Sequence, residues 1–130
     1  MDKIDNFLAA EHFAVAGASS NRDKYGNKVL RCYMQNSRSV IPVNPKESRV
    51  EGLDAVKDVS ELPDNVDALS IVTPPPVTAA IVDSALKKGI RQFWMQPGSE
   101  HSAAIEKAVE SGANVIHGGD CILVAMGYKE

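Results

Sequence analysis

Residues 13–36, FAVAGASSNRDKYGNKVLRCYMQN, constrain the fold more than any other stretch of the chain. Phe13, Ala14, Val15 and Ala16 form an apolar run with strand propensity, and Gly17, Ala18, Ser19 and Ser20 then withdraw side-chain bulk. Val29, Leu30, Tyr33 and Met34 follow at helical spacing. A strand that enters a small-residue turn and leaves as a helix puts free N–H groups and the positive end of a helix dipole at that turn, which suits an anion. Phosphate binding is therefore the first expectation. Gly17, Ser19 and Arg22 fall on the glycine slots of the dinucleotide fingerprint G-x-G-x-x-G, so only the first glycine is kept. Arg22, Lys24 and Lys28 instead set cations around the loop.

The rest of the chain continues the alternation. Residues 2–10 carry Ile4, Phe7 and Leu8 at helical spacing and predict a helix beside the first strand. Residues 39–44 predict a second strand, 47–53 a short edge strand, 60–62 a turn of helix, and 67–72 a further strand ended by Thr73, Pro74, Pro75 and Pro76. A helix over 76–88 closes at Gly89, and 91–95 is again a strand. Ser99 is placed to cap the next helix, whose apolar face is Ala104, Ile105, Ala108 and Val109, and 114–117 closes the sheet. Strands alternating with helices through short loops predict an α/β Rossmann-like domain: three αβα layers around a mainly parallel sheet, in one unit spanning 1–130. In such a sheet the ligand crosses the carboxyl ends of the strands, here residues 17–20, 44–46, 73–75, 96–98 and 118–121.

Composition removes other classes. With 14 Lys and Arg against 17 Asp and Glu, the net charge of -3 argues against nucleic acid as a general partner. No apolar run reaches the roughly 20 residues of a membrane-spanning helix. The start Met1-Asp2-Lys3-Ile4-Asp5 resembles no export signal, so a cytoplasmic location is expected. Cys32 and Cys121 lack metal-motif spacing, and no metal is expected. Asp120 opposes formation of a thiolate at Cys121, and spacing fixes no histidine base beside it. Cys121 is therefore read as a structural or weakly redox-sensitive thiol, no catalytic residue is assigned, and His101 is read as a surface residue.

GAS-x5-YG after the first strand, IPVNP at the second, VTPPP after residues 67–72 and the Asp120-Cys121 pair together resemble single-domain coenzyme A-binding proteins. Those in turn resemble the nucleotide-binding domain of the succinyl-CoA synthetase alpha subunit. The resemblance implies a Rossmann fold that binds coenzyme A or an acyl-CoA without catalysis. It assigns Gly17, Ala18, Ser19, Arg22 and Lys24 to the phosphate loop, Asn44, Pro45 and Lys46 to the loop after the second strand, and Thr73 and Pro74 to the loop of the proline turn. The partner expected is thus a small nucleotide ligand. Two other functions fit the same crevice: a nicotinamide-dependent oxidoreductase, and an interaction protein that keeps an empty nucleotide site. Against the first, NAD-binding domains place an Asp or Glu at the end of the second strand, whereas Asn44 stands there and no acidic residue lies between Gly26 and Lys46.

Overall fold

The computed structural model describes residues 2–130. Five strands form the main sheet: β1 (His12–Ala16), β2 (Ser39–Val43), β5 (Ala68–Ile71), β6 (Gln92–Met95) and β7 (Asn114–Ile116). All four pairings are parallel, in the order β2-β1-β5-β6-β7. The helices are α1 (Lys3–Leu8), α2 (Tyr25–Gln35), α3 (Pro75–Lys87), α4 (Ser102–Glu110) and α5 (Ile122–Ala125). No helix among the described residues is long and apolar enough to cross a membrane.

Alternation along each strand builds the layers, because successive side chains leave opposite faces of a sheet. Ala14, Ala16, Leu69, Ile71, Phe93 and Met95 pack with Val82 and Ala85 of α3 and Ala104 and Ala108 of α4. Phe13, Val15, Ala68, Trp94 and Ile116 pack on the other face with Phe7 of α1, Val29, Leu30 and Tyr33 of α2, and Ile122 of α5. Helices therefore cover both faces, as the alternation predicts. The second layer is aromatic: Phe7 meets the Trp94 ring edge-on at 5.4 Å, and Phe13 lies 4.8 Å from Tyr33. Polar atoms at the heart of this layer are partnered, whereas the Tyr128 hydroxyl is buried without a hydrogen-bond partner among the described residues. The Tyr33 hydroxyl bonds Ser70 Oγ at 2.6 Å and Trp94 Nε1 donates to the Asp120 carbonyl at 2.9 Å.

Two expectations are corrected. Residues 47–53 do not join the sheet as an edge strand: Arg49–Val50 (β3) pairs antiparallel with Leu53–Asp54 (β4) in a separate hairpin. Its turn residues Glu51 and Gly52 both have positive φ, 50° and 82°, the backbone twist that closes a tight hairpin. The open edge of β2 is taken instead by residues 55–57, since Asn44 N–H donates to the Val56 carbonyl at 2.9 Å and Val56 N–H to the Pro42 carbonyl at 3.1 Å. Pro42, which has no N–H to give, is accommodated on this edge strand. Second, α4 is capped by His101, not Ser99: His101 Nδ1 accepts from Ala104 N–H at 3.2 Å. His101 is thus a capping residue that is half-buried. Ser99 is buried and its Oγ accepts the Thr73 N–H at 3.1 Å, tying the loop after β6 to the loop after β5.

Candidate functional site

Strand order reverses between β1 and β5. The chain leaves β1 for α2 on one face and leaves β5 for α3 on the other, so the two connections diverge and open a crevice at the strand ends. Gly17 stands at its floor with φ 90°, and a Cβ there would lie 2.1 Å from the Val72 carbonyl oxygen. A Cβ on Gly26, in the first turn of α2, would lie 1.9 Å from the Gly17 carbonyl oxygen. The two glycines let loop, strand end and helix start close on one another. Gly26, the final residue of the GAS-x5-YG motif, thereby does the packing work of the missing third glycine of the fingerprint.

The loop is held from four directions. Ser19 Oγ accepts the Asn21 N–H at 3.1 Å, and Asn21 Oδ1 accepts the Asp23 N–H at 3.0 Å. Asn27 is fully buried; its Nδ2 donates to the Ser19 carbonyl at 2.8 Å and to Glu51 Oε2 at 2.9 Å, while its Oδ1 accepts from Arg31 Nε at 2.7 Å. Asn44 Nδ2 donates to the Ala18 carbonyl at 2.8 Å, and its Oδ1 accepts the Lys46 and Glu47 N–H groups at 2.7 and 2.9 Å. Glu47 Oε2 accepts the Ser20 N–H at 3.0 Å.

Of the residues assigned from sequence, Gly17, Pro45 and Thr73 meet around one cavity of about 280 Å³ at the ends of β1, β2 and β5. Its wall is mostly apolar, with Val43, Val59 and Ile81 among the lining residues. Ala18 is buried beneath the loop, and Pro74 caps α3, with Pro75 and Pro76 in its first turn. Asn44 acts on the loop backbone. Lys46 is exposed beside Pro45, and Lys24 is exposed at the N-terminus of α2, where the Tyr25 and Gly26 N–H groups have no partner among the described residues. Arg22 is drawn aside: its Nη2 donates to Glu51 Oε1 at 2.8 Å and its Nε to Glu51 Oε2 at 3.2 Å. Lys28 pairs with Glu130 at 2.9 Å.

Asn27, Glu47 and Glu51 were not singled out by sequence reasoning. Asn27 had a signal, a polar residue on the buried stripe of α2 with Leu30 and Tyr33, whereas the two glutamates reach the loop only through tertiary folding. The Arg22 hydrogen bond, followed by that of Asn27, holds Glu51 below the usual carboxylate range; hydrogen bonding from Ser20 does the same for Glu47. Both are anions at neutral pH, so two carboxylates stand where the Gly17 loop meets its cations.

A second cavity, of about 260 Å³, lies across Val72 and is lined by Tyr25, Gln96, Pro97 and Cys121. Gln96 is buried; its Oε1 accepts the Ile122 N–H at 2.8 Å and its Nε2 donates to Cys121 Sγ at 3.3 Å. An amide donor can steady a sulfur but cannot take its proton. Among the described residues no three His, Cys, Asp or Glu side chains cluster as metal ligands. Cys32 lies in the core, and burial pushes its thiol up to about 11. Folded protein treated with iodoacetamide is therefore expected to take one label, at Cys121, and the second only after unfolding; mass spectrometry showing two labels on folded protein would contradict the burial of Cys32.

Fold and crevice together define a doubly wound α/β domain with a cavity at the topological switch point. A model of the family described as CoA binding domain matches residues 11–127, and the chain belongs to that family. A trans-feruloyl-CoA synthase from an unknown prokaryotic organism is 32% identical over 112 residues, covering 85% of this chain and 15% of that protein. The alpha subunit of an ADP-forming acetate–CoA ligase II from Pyrococcus furiosus is 33% identical over 89 residues, covering 68% of this chain and 20% of that one. The chain therefore spans a fifth or less of the length of these relatives. Among solved structures, a conserved hypothetical protein from Pyrococcus furiosus superposes with a TM-score of 0.83 at 35% identity, covering 88% of this chain and 98% of that one.

Proposed function

We propose that this chain binds coenzyme A or an acyl-CoA across the strand ends without turning it over. The observation that carries the reading is the placement of two cavities on either side of the Gly17 loop. Coenzyme A has a flat, largely apolar adenine, a diphosphate, and a pantetheine arm ending in a thiol. The mostly apolar cavity suits the adenine, with Pro45 and Thr73 at its wall. The loop 17–20 and the open N–H groups of Tyr25 and Gly26 suit the diphosphate, helped by Lys24. The pantetheine arm then crosses Val72 into the second cavity, toward Cys121.

Non-catalysis rests on the sulfur's surroundings. A nucleophilic thiol needs a partner that accepts its proton, and the side chain bonded to Cys121 is the donor Gln96. Near saturation at a hundred times Kd, a ligand of the native state stabilises it by about 2.7 kcal/mol, so coenzyme A is expected to raise the melting temperature clearly. Cys121→Ser is expected to keep that rise, and neither protein is expected to cleave acyl-CoA thioesters. Thioester cleavage lost in Cys121→Ser would overturn the non-catalytic reading.

Glu47 makes the same site measurable from the other side. Its carboxylate holds the Ser20 N–H that a phosphate would use, and a like charge a few ångströms from a phosphate costs about 1 kcal/mol in a solvent-exposed setting. Glu47→Gln is expected to bind coenzyme A about two- to fivefold more tightly by calorimetry. Weaker binding would show that Glu47 supports the loop more than it opposes the ligand.

A further inference from the structure

The cations that sequence places nearest the loop are partly committed, Arg22 to Glu51 and Lys28 to Glu130. Besides Lys24, two lysines near the crevice are not: among the described residues neither Lys46 nor Lys57 forms an ion pair. They stand together at one place. A concavity of about 200 Å³ is lined by Pro45, Lys46, Glu47, Val56, Lys57 and Glu61. It joins the apolar cavity through Pro45 and Lys57, which line both.

The backbone fixes this pairing. Val56 bridges Val43 in parallel, so the chain directions of β2 and residues 55–57 agree and Lys57 emerges at the same end as the loop that carries Lys46. The Asn44-to-Val56 and Val56-to-Pro42 hydrogen bonds hold one segment against the other. Asn44 Oδ1 in turn accepts the Lys46 N–H and fixes the second backbone. Of the three acidic neighbours, Glu47 turns its carboxylate to Ser20 N–H and Asn44 Nδ2, Asp58, which lines the apolar cavity with Lys57, accepts the Ser60 N–H at 2.8 Å, and Glu61 is the third charge on the rim.

We propose that Lys57 is a specificity-determining residue that, with Lys46, recognises the ribose 3′-phosphate of coenzyme A at the mouth of the apolar cavity. The inference rests on the binding mode proposed above and adds a residue to it. With adenine in the cavity, its ribose lies at the rim, and a dianionic phosphate on that ribose meets the two ammonium groups. Lys57 thus favours coenzyme A over ligands whose ribose carries no phosphate.

The test is calorimetry of the full chain with coenzyme A and with dephospho-coenzyme A, comparing wild type, Lys57→Ala and Lys57→Arg. Lys57 is exposed, and a thermal melt confirms that each variant is folded. Lys57→Ala is expected to lose about tenfold in affinity for coenzyme A and less than about twofold for dephospho-coenzyme A. Lys57→Arg is expected to keep most of the preference. Equal losses for both ligands, no loss for either, or a wild type that binds the two alike would overturn the role of Lys57 while leaving coenzyme A binding intact. A wild type that binds neither ligand would overturn the binding mode itself and this role with it.

Discussion

Gly17→Ala is expected to lower stability by about 2–5 kcal/mol, measured as a fall in the urea midpoint, and to abolish coenzyme A binding. A left-handed backbone costs a side-chain-bearing residue about 1–2 kcal/mol, and overpacking adds roughly 1–3 kcal/mol where the neighbour cannot move. Here the neighbour is the Val72 carbonyl, 2.1 Å from the new Cβ, at the end of the central strand β5. Gly89 provides the control. It has the same φ of 90° but open space where its Cβ would be, so Gly89→Ala is expected to cost only the conformational share, about 1–2 kcal/mol. Equal losses in the two variants would show that the close approach at Gly17 carries no energetic weight.

Asn27→Ala is the second large effect. The side chain is fully buried and joins the Ser19 carbonyl, Glu51 and Arg31. Its removal strands a buried carbonyl and loosens the Arg22–Glu51 pair, with an expected cost of about 2–4 kcal/mol, since each buried group left unpartnered costs roughly 1–3 kcal/mol. Limited proteolysis is expected to cut within residues 18–24 faster in the variant than in the wild type. A loss below about 1 kcal/mol with unchanged cleavage would mean that the loop is held without Asn27.

These residues mark the boundary of what the sequence makes legible. The layers were legible because periodicity is local: strand residues alternate between the two packed faces, and helix stripes recur every three or four residues. The position of the crevice followed from the same alternation, and Gly17, Pro45 and Thr73 do line one cavity. Partners distant in sequence were not legible. Arg22 suggested a phosphate contact because its neighbours are loop residues, yet its bond goes to Glu51, 29 residues away. Glu51 reaches Arg22 from a hairpin turn with positive φ, a conformation rare in a residue other than glycine. The cap of α4 was misassigned for a related reason. Ser99 has the better capping chemistry, but tertiary structure uses its hydroxyl on Thr73 and leaves the cap to His101.

The end of β2 separates the coenzyme A reading from its nicotinamide rival. The Asn44 amide is spent on the chain itself, its Oδ1 on two N–H groups and its Nδ2 on the Ala18 carbonyl and Glu47. It presents no free carboxylate to the adenosine ribose hydroxyls of NAD. Calorimetry of the full chain with coenzyme A and with NAD, at one ionic strength and pH, therefore tests the central claim most directly. The expected result is tighter binding of coenzyme A; binding of NAD as tight or tighter would contradict it.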